Sequence, residues 1–261
     1  MGWKEILRYG EGTMVKHGVM DKEARVDDGV PLGAQVGSLI NMQQTPFIRA
    51  VTEGSLIAMP TDADKLIKAI SHVKLDLAGK LYRFYVSTGD TDDKERFLQV
   101  FAEADGTVRE IMYCTRLVRI IPESREDQDT YTGRGGRGLG ELEFSIWREQ
   151  VAGLGYNDSD LNSMFKDADR FVYQRDAGNQ SDRFVAPFAG REVRVDDAKG
   201  VHGLEQEIYF MPYVRELGSG KEYLLIETEI VESQDGDASR RDIHVDFMIG
   251  IPVERERVVI Q

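Results

Sequence analysis

The sequence predicts a β-rich α+β protein, with antiparallel sheets arranged in two lobes and a few short helices. Three observations carry that expectation. Short apolar runs separated by turn residues outnumber helical patterns along the chain. Residues 209–230 place two such runs on either side of Gly218-Ser219-Gly220, the signature of a hairpin. Residues 122–140 join a charged run to dense glycine, which reads as a linker or long loop. The expected organisation is a polar lead-in over 1–29, an N-terminal β-rich lobe over 30–121, the charged and Gly-rich loop over 122–140, and a C-terminal β-rich lobe over 141–261.

The elements follow in order. A short amphipathic piece is expected over 3–9, and the folded body begins near Val30-Pro31. Residues 47–52 and 55–59 look like paired short strands around Glu53-Gly54. Thr61 with Asp64 forms a weak capping box, and Leu66, Ile67, Ile70 and Val73 follow at helical spacing, so a helix is expected over 62–72. Residues 80–86 alternate as a strand. Residues 97–103 and 108–121 pair around Asp105-Gly106, a dipeptide suited to a two-residue type I′ turn. Beyond the loop, strands are expected at 142–147, 171–175, 191–195, 204–210, 214–217, 222–231 and 243–251. A short helix is expected over 158–169, with Leu161, Met164, Phe165 and Ala168 on one face.

The chain has 261 residues, of which 41% are hydrophobic and 30% charged, enough apolar material for a packed core. A net charge of −13 opposes phosphate backbones and anionic membrane surfaces, so neither nucleic-acid binding nor direct membrane insertion is expected. Cationic partners fit the overall charge better. No apolar run is long enough for a membrane-spanning helix, and residues 1–8 lack the apolar stretch of a secretory signal. With a single cysteine, Cys114, no disulfide can form within the chain, which suits a reducing, cytoplasmic setting. Cys114 lies in an apolar run and reads as a buried small hydrophobe, not a nucleophile.

Few residues invite a chemical role. Gly133-Arg-Gly-Gly-Arg-Gly138 matches a dinucleotide-binding glycine pattern, but a buried strand does not precede it and a helix does not follow. A loop is the simpler reading. The histidines are His17, His72, His202 and His244, and none shows metal-ligand spacing. Asp242, His244 and Asp246 share one face of an alternating strand, where they make a candidate polar cluster with Arg215. The competing reading is the solvent face of an amphipathic strand. Asp158, Asp160, Asp167 and Asp169 suggest calcium, but Ser163 stands where a calcium-binding helix–loop–helix needs glycine and Asp169 where it needs glutamate. No metal site, cofactor or catalytic residue is therefore assigned. Arg215, Glu216, Glu222, Glu227 and Glu229 are expected to contribute to an exposed, partner-facing surface of the 209–230 hairpin.

Several ordered segments carry a resemblance. They are 31–37 (Pro-Leu-Gly-Ala-Gln-Val-Gly), 96–100 with Asp105-Gly106 and Glu110-Ile111, 171–175, Glu192, and 211–216 with 222–225. Together they resemble the YjfK-like family of uncharacterised bacterial proteins, a domain of unknown function, over most of 30–251. The resemblance transfers no functional residue. It implies an accessory role in an envelope-stress system, with a PspA-like membrane-associated protein as the expected partner. Two functional expectations result: a non-enzymatic adaptor, or a small-molecule enzyme or ligand-binding protein with a cleft between the lobes. An oligomer is compatible with either.

Overall fold

A computed structural model describes residues 29–60, 64–75, 79–87, 95–198, 203–231 and 242–261. Eight antiparallel strands close into one barrel: β2 (Lys65–Leu75), β3 (Gly79–Val86), β4 (Arg96–Glu103), β5 (Val108–Ile120), β8 (Phe188–Val195), β9 (Gly203–Glu216), β10 (Lys221–Val231) and β11 (Asp242–Pro252). Their order around the barrel is β2-β3-β4-β5-β11-β10-β9-β8, and β8 returns to β2. The wall is thus two consecutive four-stranded meanders. They join first strand to first strand at β2–β8 and last to last at β5–β11.

This closure overturns the expected two lobes and, with them, the cleft between lobes. Both halves of the chain contribute four strands to a single wall, which satisfies the edges that open sheets would leave unpaired. Four further strands extend the sheet outside the barrel. β1 (Leu39–Met42) and β12 (Val258–Ile260) pair beside β2, while β6 (Glu143–Trp147) and β7 (Arg170–Arg175) continue from β9.

Four short helices sit among these strands: α1 (Thr45–Thr52), α2 (Arg125–Tyr131), α3 (Arg148–Ala152) and α4 (Asp158–Phe165). Among the described residues no helix is long and apolar enough to cross a membrane.

Both faces of the barrel wall are buried, and two apolar clusters show it. The lumen holds Val73, Leu81, Phe97, Phe101, Met112, Cys114, Ile208, Phe210, Tyr223, Leu225 and Met248. The outer cluster packs Phe84, Val100, Tyr113, Leu224, Ile226 and Ile249 of the wall against Ile40 of β1, Phe47 of α1, Val151 of α3 and Phe165 of α4. A strand apolar on both sides loses the alternation that a half-exposed strand displays.

Three local expectations change for identifiable reasons. The segment expected as a helix over 62–72 is strand β2. A β-bulge between Ile67 and Ala69 puts Ile67 and Ile70 on the same outer face, so a strand acquires helical spacing. Thr61 lies outside the described residues, as does the piece expected over 3–9. Residues 47–52, expected as a strand, belong to α1. Pro46 stands in its first turn, where the missing N–H costs nothing, and Phe47 and Ala50 form its buried face. At its end Gly54 takes φ +90°, and a Cβ there would meet the Met164 carbonyl at 2.5 Å.

The loop over 122–140 is not a bare linker. Ser124 caps α2 by accepting from the Asp127 N–H at 3.1 Å. The Thr228 hydroxyl donates to the Tyr131 carbonyl at 2.5 Å, which ties α2 to the wall. The Asp105-Gly106 turn is a three-residue loop over 104–106, closed by the Glu103 N–H on the Thr107 carbonyl at 2.9 Å.

Strands expected separately at 204–210 and 214–217 are one strand, β9. Pro212 sits where β9 exchanges partner β8 for β7, a point at which no ladder donor is required.

Candidate functional site

The lumen is apolar toward the β4–β5 and β9–β10 turns and charged toward the opposite mouth. Arg83 spans the middle. Its strand, β3, lies across the barrel from β10, yet its guanidinium donates to both Glu227 oxygens, at 2.8 and 2.5 Å. It also donates to Glu192 on β8 at 3.2 Å and to Gln99 on β4 at 3.2 Å. Only a path through the lumen connects these strands, so Arg83 and its partners form a buried crossbar.

Glu192 accepts from four groups. One oxygen takes the hydroxyls of Ser71 and Tyr85, the latter at 2.5 Å. The other takes Arg83 and the Gln206 amide, the latter at 3.1 Å. Burial opposes its charge, but Arg83 and these hydrogen bonds outweigh burial and hold the carboxyl below its ordinary value. Glu227 shifts upward instead. Burial dominates there, with the charges of Glu192 and Asp246 adding to it and only Arg83 opposing.

Toward the mouth, Arg119 on β5 clamps Asp246 on β11 through two bonds at 2.7 and 2.6 Å, and reaches Glu229 on β10 at 2.7 Å. Burial, Asp246 and Glu227 push the Glu229 carboxyl up to about 8 against the pull of Arg119. An outer ring follows. Arg116 approaches Glu95 at 3.5 Å, and Arg194 bonds Asp196 at 2.6 Å and Glu95 at 3.3 Å while covering the Tyr85 ring at 4.4 Å.

The outer ring balances, with two guanidiniums facing two carboxylates. The inner layer does not: Glu192, Glu227, Glu229 and Asp246 face Arg83 and Arg119, with Arg116 reaching Asp246 at 3.8 Å. Two buried polar atoms there are also unmatched among the described residues. Gln206 is 6% exposed and its Oε1 has no hydrogen-bond partner; the buried Nδ1 of His244 has none either.

The structure divides the four residues expected as a cluster. Asp246 and His244 share the lumen-facing side of β11 with Glu227 and Glu229 opposite them. The strand face expected either to meet water or to converge with Arg215 thus looks into the barrel. Asp242 begins β11, and its side chain lies outside the described residues. Arg215 is on the outside of the wall, where it donates to Glu222 at 2.6 Å and to the Gly54 carbonyl at 2.6 Å, with its guanidinium 3.7 Å from the centre of the Phe171 ring.

The partner-facing surface expected around 215–229 is largely absent, because Glu222 and Glu227 are fully buried and Glu229 is nearly so. Cys114 lies in the lumen, and burial raises its thiol far above the usual range, so it is no thiolate. His17 and His202 lie outside the described residues. His72 stacks on Tyr82 outside the barrel, where burial and then Lys74 and Lys80 lower it to about 4.

Sequence reading missed Arg83, Glu192, Arg119 and Gln206. The usable signal was an arginine between Tyr82 and Phe84, since a guanidinium inside an apolar strand demands carboxylates.

A second feature lies at the other end of the barrel. A groove of about 500 Å³ runs between α1, the β9–β10 turn and residues 252–257, and its lining includes Arg49, Arg109, Lys221, Arg255 and Arg257. Leu217 closes the turn with its N–H on the Gly220 carbonyl at 2.8 Å, and Glu53 accepts from the Ser219 N–H at 3.0 Å and hydroxyl at 2.9 Å. Arg109 and Arg257 are held by Glu103 and Glu254, whereas Arg49 and Arg255 meet no carboxylate among the described residues. No family model, curated protein or solved structure matches the chain.

Proposed function

We propose that the protein is a non-enzymatic binding protein that uses the barrel as a rigid scaffold and docks an acidic segment of a protein partner in the groove at its apolar end. The observation that carries this reading is the charge of the groove. In a chain of net charge −13, five cationic side chains and three glutamates line one concavity, and two of the cations, Arg49 and Arg255, meet no carboxylate among the described residues. Val108, Leu217 and Ile251 add apolar lining beside them. The crossbar supports the same reading. Arg83, Glu192 and Glu227 are engaged with one another inside the wall, as suits a scaffold. The resemblance to YjfK-like proteins adds the expectation that the partner is membrane-associated, with a PspA-like protein the first to test.

A photo-crosslinking side chain at Ser219, introduced in the source cell, tests the proposal. The expected result is a discrete crosslinked partner that is lost when Arg49→Glu and Arg255→Glu are combined. A groove that captures no partner, or captures one regardless of the charge reversal, would refute it.

A further inference from the structure

We propose that residues 21–28 of the chain fold back into the cationic groove at the apolar end of the barrel and occupy it until a partner displaces them. This regulation of the groove rests on partner docking there.

The charges are complementary. Residues 21–28 read Asp-Lys-Glu-Ala-Arg-Val-Asp-Asp, with four acidic side chains against two basic ones. Residues 1–20 are the reverse, with three basic side chains against two acidic, so the acidity is concentrated directly ahead of Gly29. In the groove the five cations outnumber Glu53, Glu110 and Glu254. Glu53 is engaged by Ser219 and Glu254 by Arg257, which leaves Arg49 and Arg255 for an incoming carboxylate. Arg255 is held in place by its Nη1 bond to the Val258 carbonyl at 3.1 Å. A guanidinium fixed in this way suits a carboxylate, which it can meet through two parallel bonds. Ala24 and Val26, interleaved with the charges of the segment, suit the apolar lining of Val108, Leu217 and Ile251.

The place where the chain enters the fold matters as much. Gly29 lines a small cavity of about 220 Å³ together with Glu103 and the β4–β5 turn. Glu103 accepts from Arg109 at 2.6 and 2.9 Å, and Arg109 lines the groove. The chain therefore joins the barrel at its apolar end, one ion pair away from the groove. An extended chain covers at most about 3.3–3.6 Å per residue, so eight residues reach up to about 27 Å, enough to run from Gly29 past Arg109 and into the groove.

Other segments outside the described residues do not compete for this site. Residues 88–94, 199–202 and 232–241 join strands at the charged mouth, the opposite end of the barrel. Residues 61–63 and 76–78 are only three residues each and are held at both ends.

A tethered segment acts at an effective concentration of order millimolar. A free acidic segment therefore binds more weakly than the cations of the groove alone would allow, and a partner must supply contacts that residues 21–28 lack.

Nitroxide labels at Ala24→Cys and Thr52→Cys in the full chain test the proposal. Thr52 is exposed on α1 beside the groove, and Cys114 is wholly buried and stays unlabelled. Pulsed electron resonance on labelled chain diluted with unlabelled chain reads the distance within one molecule. One narrow distribution is expected. Combining Arg49→Glu with Arg255→Glu should broaden and lengthen it, and adding Asp27→Arg and Asp28→Arg should restore it. Thermal melting confirms that each variant is folded. As a second readout, a synthetic peptide of residues 21–29 should bind the full chain carrying Asp27→Asn and Asp28→Asn at least about tenfold more tightly than the wild type, because the tethered competitor is released. A broad distribution in the wild type, or one that the charge reversal leaves unchanged, would overturn the proposal. So would a narrow distribution that disappears on dilution, since the segment then sits in the groove of a second copy, and so would equal peptide binding. No partner enters these measurements. A docked segment with no partner captured at Ser219 counts against partner docking alone, and a captured partner with an undocked segment counts against this proposal alone.

Discussion

Glu222 and Glu229 lie on the same strand and both are buried, yet their surroundings differ completely. Glu222 points out of the barrel into a pocket of donors. It accepts from the Ser55 hydroxyl, from the Leu56 N–H at 2.8 Å, from the Tyr173 hydroxyl at 2.6 Å and from Arg215 at 2.6 Å. Glu229 points into the lumen and among the described residues receives one donor, Arg119, which it shares with Asp246. A buried charge is tolerable when donors saturate it, and is otherwise neutralised by a proton or a cation. The outer site is a finished joint that holds residues 54–56 against the wall. The lumen site is left short of positive charge.

The largest effect should come from breaking the finished joint. Glu222→Leu leaves Arg215, Tyr173 and the Leu56 N–H facing an apolar side chain. Loss of one partner from a buried charged pair costs about 3–5 kcal/mol, and the Ser55 and Tyr173 hydroxyls lose their acceptor as well. Urea unfolding should therefore show a midpoint far below that of the wild type. A near-neutral result would mean that water reaches the joint and that the contrast with Glu229 is false.

The lumen site should show itself through pH. Between about pH 4.5 and 8 the folded chain keeps a proton on Glu229 that the unfolded chain has already lost. The folded state therefore binds more protons across this window, and stability falls as pH rises through it. Below about 4.5 both states are protonated and the contribution vanishes. At roughly 1.4 kcal/mol for each pH unit crossed, the loss by pH 8 amounts to a few kcal/mol. Glu229→Gln does not titrate, so its stability should stay flatter and exceed that of the wild type above about pH 8. Parallel curves for the two proteins would remove the lumen from the comparison.

The sequence made some of this contrast legible and concealed the rest. Glu222, Glu227 and Glu229 are all expected on one exposed surface, whereas the structure buries Glu222 outside the wall and the other two in the lumen. Alternation could not show that both faces are buried, because burial of the second face depends on closure. The closing pairs, β2 with β8 and β5 with β11, join segments distant in sequence, and no local pattern encodes them. The β10 hairpin was legible because Gly218 and Gly220 lie between two apolar runs. Strand β2 was hidden by one bulge that gave Ile67 and Ile70 helical spacing. The His244–Asp246 face was recognised as polar and assigned to water or to Arg215, when its true neighbours, Glu229 and Arg119, come from other strands.

The smallest effect separates donor number from donor charge. Tyr173→Phe removes one of the four donors to Glu222 and keeps the ring, which packs with the outer core. Arg215 remains, so the carboxylate stays held. A hydrogen bond to a charged group contributes about 1.5–3 kcal/mol, and the remaining donors can take up part of that, so a loss of about 1–2 kcal/mol is expected. The measurement is again the urea midpoint, read against Tyr85→Phe, which removes one of the four donors to Glu192 within the crossbar. Similar losses would show that saturation sets tolerance on both faces of the wall. A much larger loss for Tyr85→Phe would show that the lumen, short of cations, depends on each neutral donor more heavily than the outer joint does.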